Sequence, residues 1–181
     1  LRLLVADAAA EGGYVATTIA GVPGEKGQRD GEARQALFNS PHAALWHADA
    51  SVITPDIGNA SIRRVANGRV ETMAGAERGT FVYPMDLAWT VDGRLLVADA
   101  GSHQLRLVDA GGAVSTLEVL GPLRTPHGVA VGPDGTIYVA DMGSHRVLSV
   151  DREGRVTTVA GVAGEPGDDP RHLNRPAAVL V

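Results

Sequence analysis

The sequence predicts an all-β fold in which a four-stranded antiparallel sheet is repeated along the chain. Three recurring markers predict it. A proline opens an apolar strand at Pro41, Pro84, Pro126 and Pro176, at spacings of 43, 42 and 50 residues. An aspartate closes the next strand at Asp56, Asp99 and Asp141, at spacings of 43 and 42. A glycine and a small polar residue then precede a further strand: Gly58-Asn59, Gly101-Ser102 and Gly143-Ser144. A lone four-stranded sheet cannot bury both of its faces, so such units must stack on one another. Four short strands repeating about every 42 residues form the blade of a β-propeller. A sandwich or barrel does not account for so regular a period.

The elements follow in order. "LRLLVAD" at the start matches the third strand "LRLVD" of 105–109, and "YVATTIAG" at 14–21 matches a fourth strand, so residues 1–21 read as half a blade. Complete blades are expected over 41–75, 84–119 and 126–161, and residues 176–181 match a first strand alone. Fourth strands are "VETMAG", "VSTLEV" and "VTTVAG". The turns "VDG" at 91–93 and "PDG" at 133–135 suit hairpins, because glycine reaches positive φ without steric cost. In the first blade "TP" precedes the aspartate and no Asp-Gly pair marks the turn. Val129 and Val131 share one strand face, as do Ile137 and Val139. Alanine on the opposite faces suits sheets covered on both sides. "DGEARQALF" at 30–38 reads as one short helical turn within a long loop, with Leu37 and Phe38 plugging between blades. Blades left open expose edges and apolar faces. The sequence therefore reads as about four blades of a longer propeller, or as one whose ends something else covers.

The 181 residues suffice for one ordinary domain, and 44% hydrophobic with 20% charged residues is a globular composition. No apolar run reaches the ~18 residues a membrane helix needs. No basic-then-apolar leader is present, and the chain opens on Leu1 instead of methionine, which leaves room for residues upstream. With no cysteine, disulfides, cysteine-ligated zinc and thiol catalysis are excluded, while the compartment stays unassigned. The net charge of -5 opposes non-specific attraction to phosphate backbones.

The units resemble NHL repeats. "PHGVAVGPDGTIYVADMGSHRVLSVD" (126–151) and its partner at 84–109 carry the resemblance. "PHAALWHADASVITPDIGNASIRRV" (41–65) is a degenerate copy, and the linkers "AGVPGEKGQRDGEARQALFNSP" and "AGVAGEPGDDPRHLNRP" fit the same pattern. The resemblance covers nearly the whole chain and implies a propeller that is part of a six-bladed ring. For function it is permissive. Members of the family include protein-binding platforms, RNA-binding propellers, extracellular sensors, propellers joined to thioredoxin-like domains, and amidating lyases. Fold alone does not choose among them.

His42 and His127 each follow the proline that opens a first strand, with Met85 at the equivalent place between them. Equivalent positions in a propeller face a common axis, so these three are the candidate channel lining. Resemblance to the amidating lyases, whose zinc is held by histidines in such positions, puts His42 and His127 forward as metal ligands. A zinc site needs a third protein ligand, however, and Ile57 stands where the lyase motif has a catalytic arginine. His103 and His145, in matching "GSH" turns, are expected to cap loops or face solvent. Asp56, Asp99 and Asp141, with Gly58, Gly101 and Gly143, read as structural turn residues. Each carboxylate is expected to accept backbone N–H bonds from the next turn.

Arg63, Arg64, Arg106 and Arg146 could form a basic stripe for RNA. With only 4% aromatic residues for stacking, a solvated rim of local ion pairs is the better expectation. No GxxxxGK[ST] loop, nucleophile elbow or triad spacing is present. The sequence therefore points to a non-catalytic scaffold for protein–protein interaction, part of a larger protein or assembly and needing no cofactor. A zinc-dependent lyase or hydrolase with a channel site is the first alternative, and an RNA-binding propeller the second.

Overall fold

A computed structural model describes residues 1–6, 14–75, 77 and 79–181. Half a blade comes first, with β1 (Arg2–Ala6) antiparallel to β2 (Tyr14–Thr18); residues 7–13 lie outside the described residues. β3 (Gly31–Glu32) follows. The first full blade is β4 (Leu45–Trp46), β5 (Val52–Asp56), β6 (Ser61–Ala66) and β7 (Arg69–Ala74). The second is β8 (Pro84–Trp89), β9 (Leu95–Asp99), β10 (Gln104–Val108) and β11 (Val114–Thr116). The third is β12 (Pro126–Val131), β13 (Ile137–Asp141), β14 (Arg146–Val150) and β15 (Val156–Ala160). Each is an antiparallel meander in chain order, as the repeat requires.

Burial explains the composition of the strands. In β9, Leu95 and Val97 join the apolar cluster with Ile53, Ile62 and Leu87 towards the first blade. Leu96 and Ala98 join the cluster with Val129, Val139 and Leu148 towards the third. Successive side chains of a strand point to opposite faces, so a blade covered on both sides is apolar throughout. All four of these β9 residues are fully buried. At ~1.5–3 kcal/mol for each large aliphatic side chain buried, this stacking is the main stabilising term of the fold.

Two local expectations differ from the structure. "DGEARQALF" does close one turn, the Ala36 amide donating to Glu32 O at 2.9 Å, but it begins as a strand. Gly31, at φ 116°, opens β3, which adds a fifth strand to the first blade by pairing with β7. Arg29 and Leu37 bridge across the loop. Phe38 is buried among Ala20, Val65 and Val70, between the half blade and the first full blade, whereas Leu37 is half-buried and packs on Gly27 within its own loop. At the other end, residues 176–181 form no strand, since they have no ladder partner among the described residues. The segment nonetheless lies against β12, where a Cβ on Gly128 would come within 2.7 Å of the Ala177 carbonyl oxygen and the Ala178 Cα.

Candidate functional site: an axial histidine pair and the blade faces

The first strands of the second and third blades each carry a β-bulge at their second residue. Pro84 pairs with Asp99 and Asp86 with Ala98, so Met85 is the extra residue; Pro126 pairs with Asp141 and Gly128 with Ala140, so His127 is. A bulge re-aims the side chain it inserts. In the first blade Pro41 bridges Asp56, and the amide of His42 donates to Pro55 O at 3.1 Å. His42 and His127, two blades apart, meet edge to face with ring centroids 5.5 Å apart and planes at 77°.

Their hydrogen bonds fix the tautomers. His42 Nδ1 lies 3.0 Å from Met85 O, and His127 Nδ1 lies 2.8 Å from Ala177 O. Each histidine thus reaches the carbonyl of the equivalent position one blade on. A carbonyl only accepts, so both Nδ1 atoms carry the proton, and in the neutral rings both Nε2 atoms present lone pairs. Metal-binding imidazoles commonly donate their other ring N–H to a carbonyl in this way. A catalytic zinc takes three protein ligands, and this contact brings together two imidazoles. Among the described residues no group of three or more His, Cys, Asp or Glu side chains is placed to hold an ion. Beside Met85, Asp86 accepts a hydrogen bond from the Val129 amide at 3.0 Å, which ties the second blade to the third. Asp86 escaped sequence reasoning because the other blades carry Ala43 and Gly128 at its position.

The repeated aspartates are all fully buried. Asp56 Oδ1 accepts from the Asn39 amide at 2.6 Å, Asp99 Oδ1 from the Tyr83 amide at 2.7 Å, and Asp141 Oδ1 from the Arg124 amide at 2.6 Å. These backbone donors lie in the linker that enters the blade, not in the next turn as the sequence suggested. The reason is topological: the second strand ends beside the start of the first. The following turn contributes only side chains, Asn59 Nδ2 to Asp56 and Ser102 Oγ to Asp99. Gly58, Gly101 and Gly143 sit where the same linker passes closest. A Cβ on Gly143 would stand 2.6 Å from the Arg124 carbonyl oxygen, and one on Gly101 would stand 2.6 Å from the Val82 and Tyr83 side chains.

His103 and His145 cap the next linker. His103 Nδ1 accepts from the Thr125 amide at 3.0 Å, and His145 Nδ1 from the Arg175 amide at 3.2 Å. Thr125 and Arg175 precede the strand-opening prolines and have φ of 58° and 53°. These two imidazoles therefore hold the tautomer opposite to that of the axial pair.

The four arginines form no stripe. Arg63 is fully buried. It pairs with Asp56 at 2.9 Å and with Asp30, donates to Leu37 O and Arg29 O, and lies over the Phe38 ring. Arg146 is 14% exposed and pairs with Asp141. Arg106 donates to the Gln104 side chain. Arg64 alone makes the expected rim pairs, with Asp49 and Glu71.

Large apolar side chains remain in water at both ends of the blades. Val82 and Tyr83 are 46% and 56% exposed on the linker into β8, and Trp46, Val91 and Leu120 are 61%, 60% and 69% exposed. A cleft of about 480 Å³ opens between the second and third blades, on the end that carries the β8–β9 and β14–β15 turns. Leu107, Leu117, Val131, Ile137 and Val150 are among its lining residues. A smaller cleft of about 330 Å³, between the first and second blades, holds the His47–Asp49 pair and Trp89. No helix of the described residues is long and apolar enough to cross a membrane.

The family model of the NHL repeat matches residues 123–148. No curated protein matches the chain by sequence. Among solved structures, a catalytically inactive virginiamycin B lyase of Staphylococcus aureus with quinupristin is similar at a TM-score of 0.60 and 15% identity, over 77% of this chain and 45% of that one. A streptogramin B lyase gives 0.61 and 15%, over 92% and 49%. A gluconolactonase of Xanthomonas campestris gives 0.59 and 18%, over 72% and 50%. At these identities the likeness is one of fold, that of β-propellers. The chain spans about half the length of the structures it matches.

Proposed function

Since the chain is built as an NHL-repeat β-propeller, we propose that it is a non-catalytic scaffold that binds a protein partner, as part of a larger protein or assembly. The observation that carries this reading is the set of large apolar side chains left in water, Trp46, Val82, Tyr83, Val91 and Leu120, on a fold that otherwise stacks its apolar residues between blades. Exposed apolar surface on a rigid frame of turns and linkers is where recognition sits. The recurring polar residues, by contrast, are used within the frame: Asp56, Asp99 and Asp141 hold linkers, and His103 and His145 cap them. The test is co-purification of the intact protein with its partner. Substituting the exposed apolar residues by serine should release the partner from a protein of unchanged circular dichroism, and His42→Ala with His127→Ala should not. Turnover that the histidine changes abolish would overturn the reading.

One observation favours a second reading. The axial pair, with both Nδ1 atoms held by carbonyls, is prepared for a divalent metal, and propellers of similar fold include lyases and a gluconolactonase. On this reading the protein is a zinc-dependent lyase or hydrolase resembling the amidating lyases. It needs a third ligand besides His42 and His127. Stoichiometric zinc that is lost with His127→Ala would support it. RNA binding finds less support, because Arg63 and Arg146 are engaged inside the blades.

A further inference from the structure

The cleft between the second and third blades carries more chemistry than apolar exposure. Its floor is the outer end of the inter-blade core, where Leu107 and Leu117 face Val131, Ile137 and Val150. Its margins carry two of the most exposed aliphatic side chains of the described residues. Val91 lines the cleft directly, and Leu120 stands beside it, its amide donating to Gly154 O at 2.7 Å. Large aliphatic groups on both margins of an apolar floor form a continuous surface that an anchoring side chain would cover.

The rim is acidic. Asp92, Glu118, Asp151 and Glu153 line the cleft against Arg94 and Arg152. Arg94 is paired with Asp92, and Arg152 donates through Nε and NH2 to the Asp134 carbonyl oxygen. Arg155, just outside, is shared between Asp151 and Glu153. Carboxylates outnumber guanidiniums even with Arg155 included, and among the described residues Glu118 has no ion-pair partner. The cleft is about 480 Å³, within the ~300–1,000 Å³ of binding pockets in general.

We propose that this cleft is the docking site of the protein partner, and that it takes a basic peptide segment: an aliphatic or aromatic anchor on the Leu107–Ile137 floor, flanked by arginine or lysine facing Glu118 and Glu153. The apolar floor supplies affinity. The acidic rim supplies on-rate and selection against acidic segments. This inference rests on the protein-binding reading above.

The test is fluorescence anisotropy on the whole chain with a labelled peptide of two leucines flanked on each side by two arginines. Saturable binding is expected. It should weaken at least tenfold when glutamates replace the arginines or glycines replace the leucines. It should weaken as much for Val91→Ser with Leu120→Ser, and for Glu118→Arg, all surface changes that spare the core. Tyr83→Ser, at the opposite end of the second blade, should leave it unchanged. Equal binding of the glutamate peptide, equal binding by the cleft variants, or no saturable binding overturns the cleft assignment. If the peptide fails and the native partner is instead lost on Val82→Ser with Tyr83→Ser, the cleft falls and the scaffold stands. If neither set of changes affects the partner, both fall.

Discussion

His42 and His127 stand two blades apart and 85 residues apart in the chain, yet their rings meet at 5.5 Å, each anchored through Nδ1 to a backbone carbonyl farther along the chain. His103 and His145 use the same atom in the opposite sense, as an acceptor from a backbone amide. One chain thus holds its histidines in two fixed tautomers. Long-range proton–nitrogen correlation spectra at neutral pH should show protonated Nδ1 for His42 and His127, and protonated Nε2 for His103 and His145. A common tautomer for all four would contradict the account.

Both members of the Asp56–Arg63 pair in the first blade are fully buried. Arg63→Ala would leave the buried Asp56 carboxylate without its charge partner, and should cost about 3–5 kcal/mol of unfolding free energy by urea titration. Arg64→Ala, which breaks only exposed pairs, should stay within about 1 kcal/mol. Equal losses would show that Arg63 is not the hub the structure makes it.

Asp99→Ala removes the acceptor of the Val82 and Tyr83 amides and the Ser102 hydroxyl. Unsatisfied buried donors cost about 1–3 kcal/mol each, so stability should fall by more than for Asp109→Ala, whose partners are exposed amides. Amide hydrogen exchange should locate the loss in the linker at 82–83. Uniform loosening of all blades would argue against this linker role.

Two pairs on the surface set pH behaviour. Arg94 and then Thr90 pull Asp92 down to about 2. A carboxylate depressed on folding stabilises above its unfolded value near 4, and that contribution is lost as pH falls from about 4 towards 2. Hydrogen bonding to Asp169, with Glu165 also near, raises His172 above its ordinary value. Its contribution has the opposite sign: present below the unfolded value, and lost as pH rises through the folded one. NMR titration should show Arg94→Ala raising the Asp92 midpoint and Asp169→Asn lowering the His172 midpoint. An unmoved midpoint in either variant would contradict the corresponding assignment.

The blades were legible because their markers are local. Proline, aspartate and glycine recur in register, and the unbroken apolar run of β9 is what a sheet covered on both faces requires. What the sequence hid depends on distant partners. Asp30 looks like a loop residue, but its carboxylate binds the Thr72 amide 42 residues away and the buried Arg63 guanidinium, so "DGEARQALF" extends a sheet before it turns. Arg63 reads as a rim residue for the same reason. That His42 and His127 hold equivalent places was legible from the repeat, whereas their ring contact and the bulge that re-aims His127 were not. The inter-blade cleft has no sequence motif, because blade packing creates it from five separate segments.

On the scaffold reading, the His42–His127 pair is framework and the faces of the propeller recognise protein. The most direct measurement is the zinc bound per intact chain after equilibration with zinc and exhaustive dialysis, comparing the native protein with the His42→Ala, His127→Ala double variant. A scaffold should bind no zinc that depends on the pair. One zinc per chain, lost from the double variant, would contradict it and move the function to the axis.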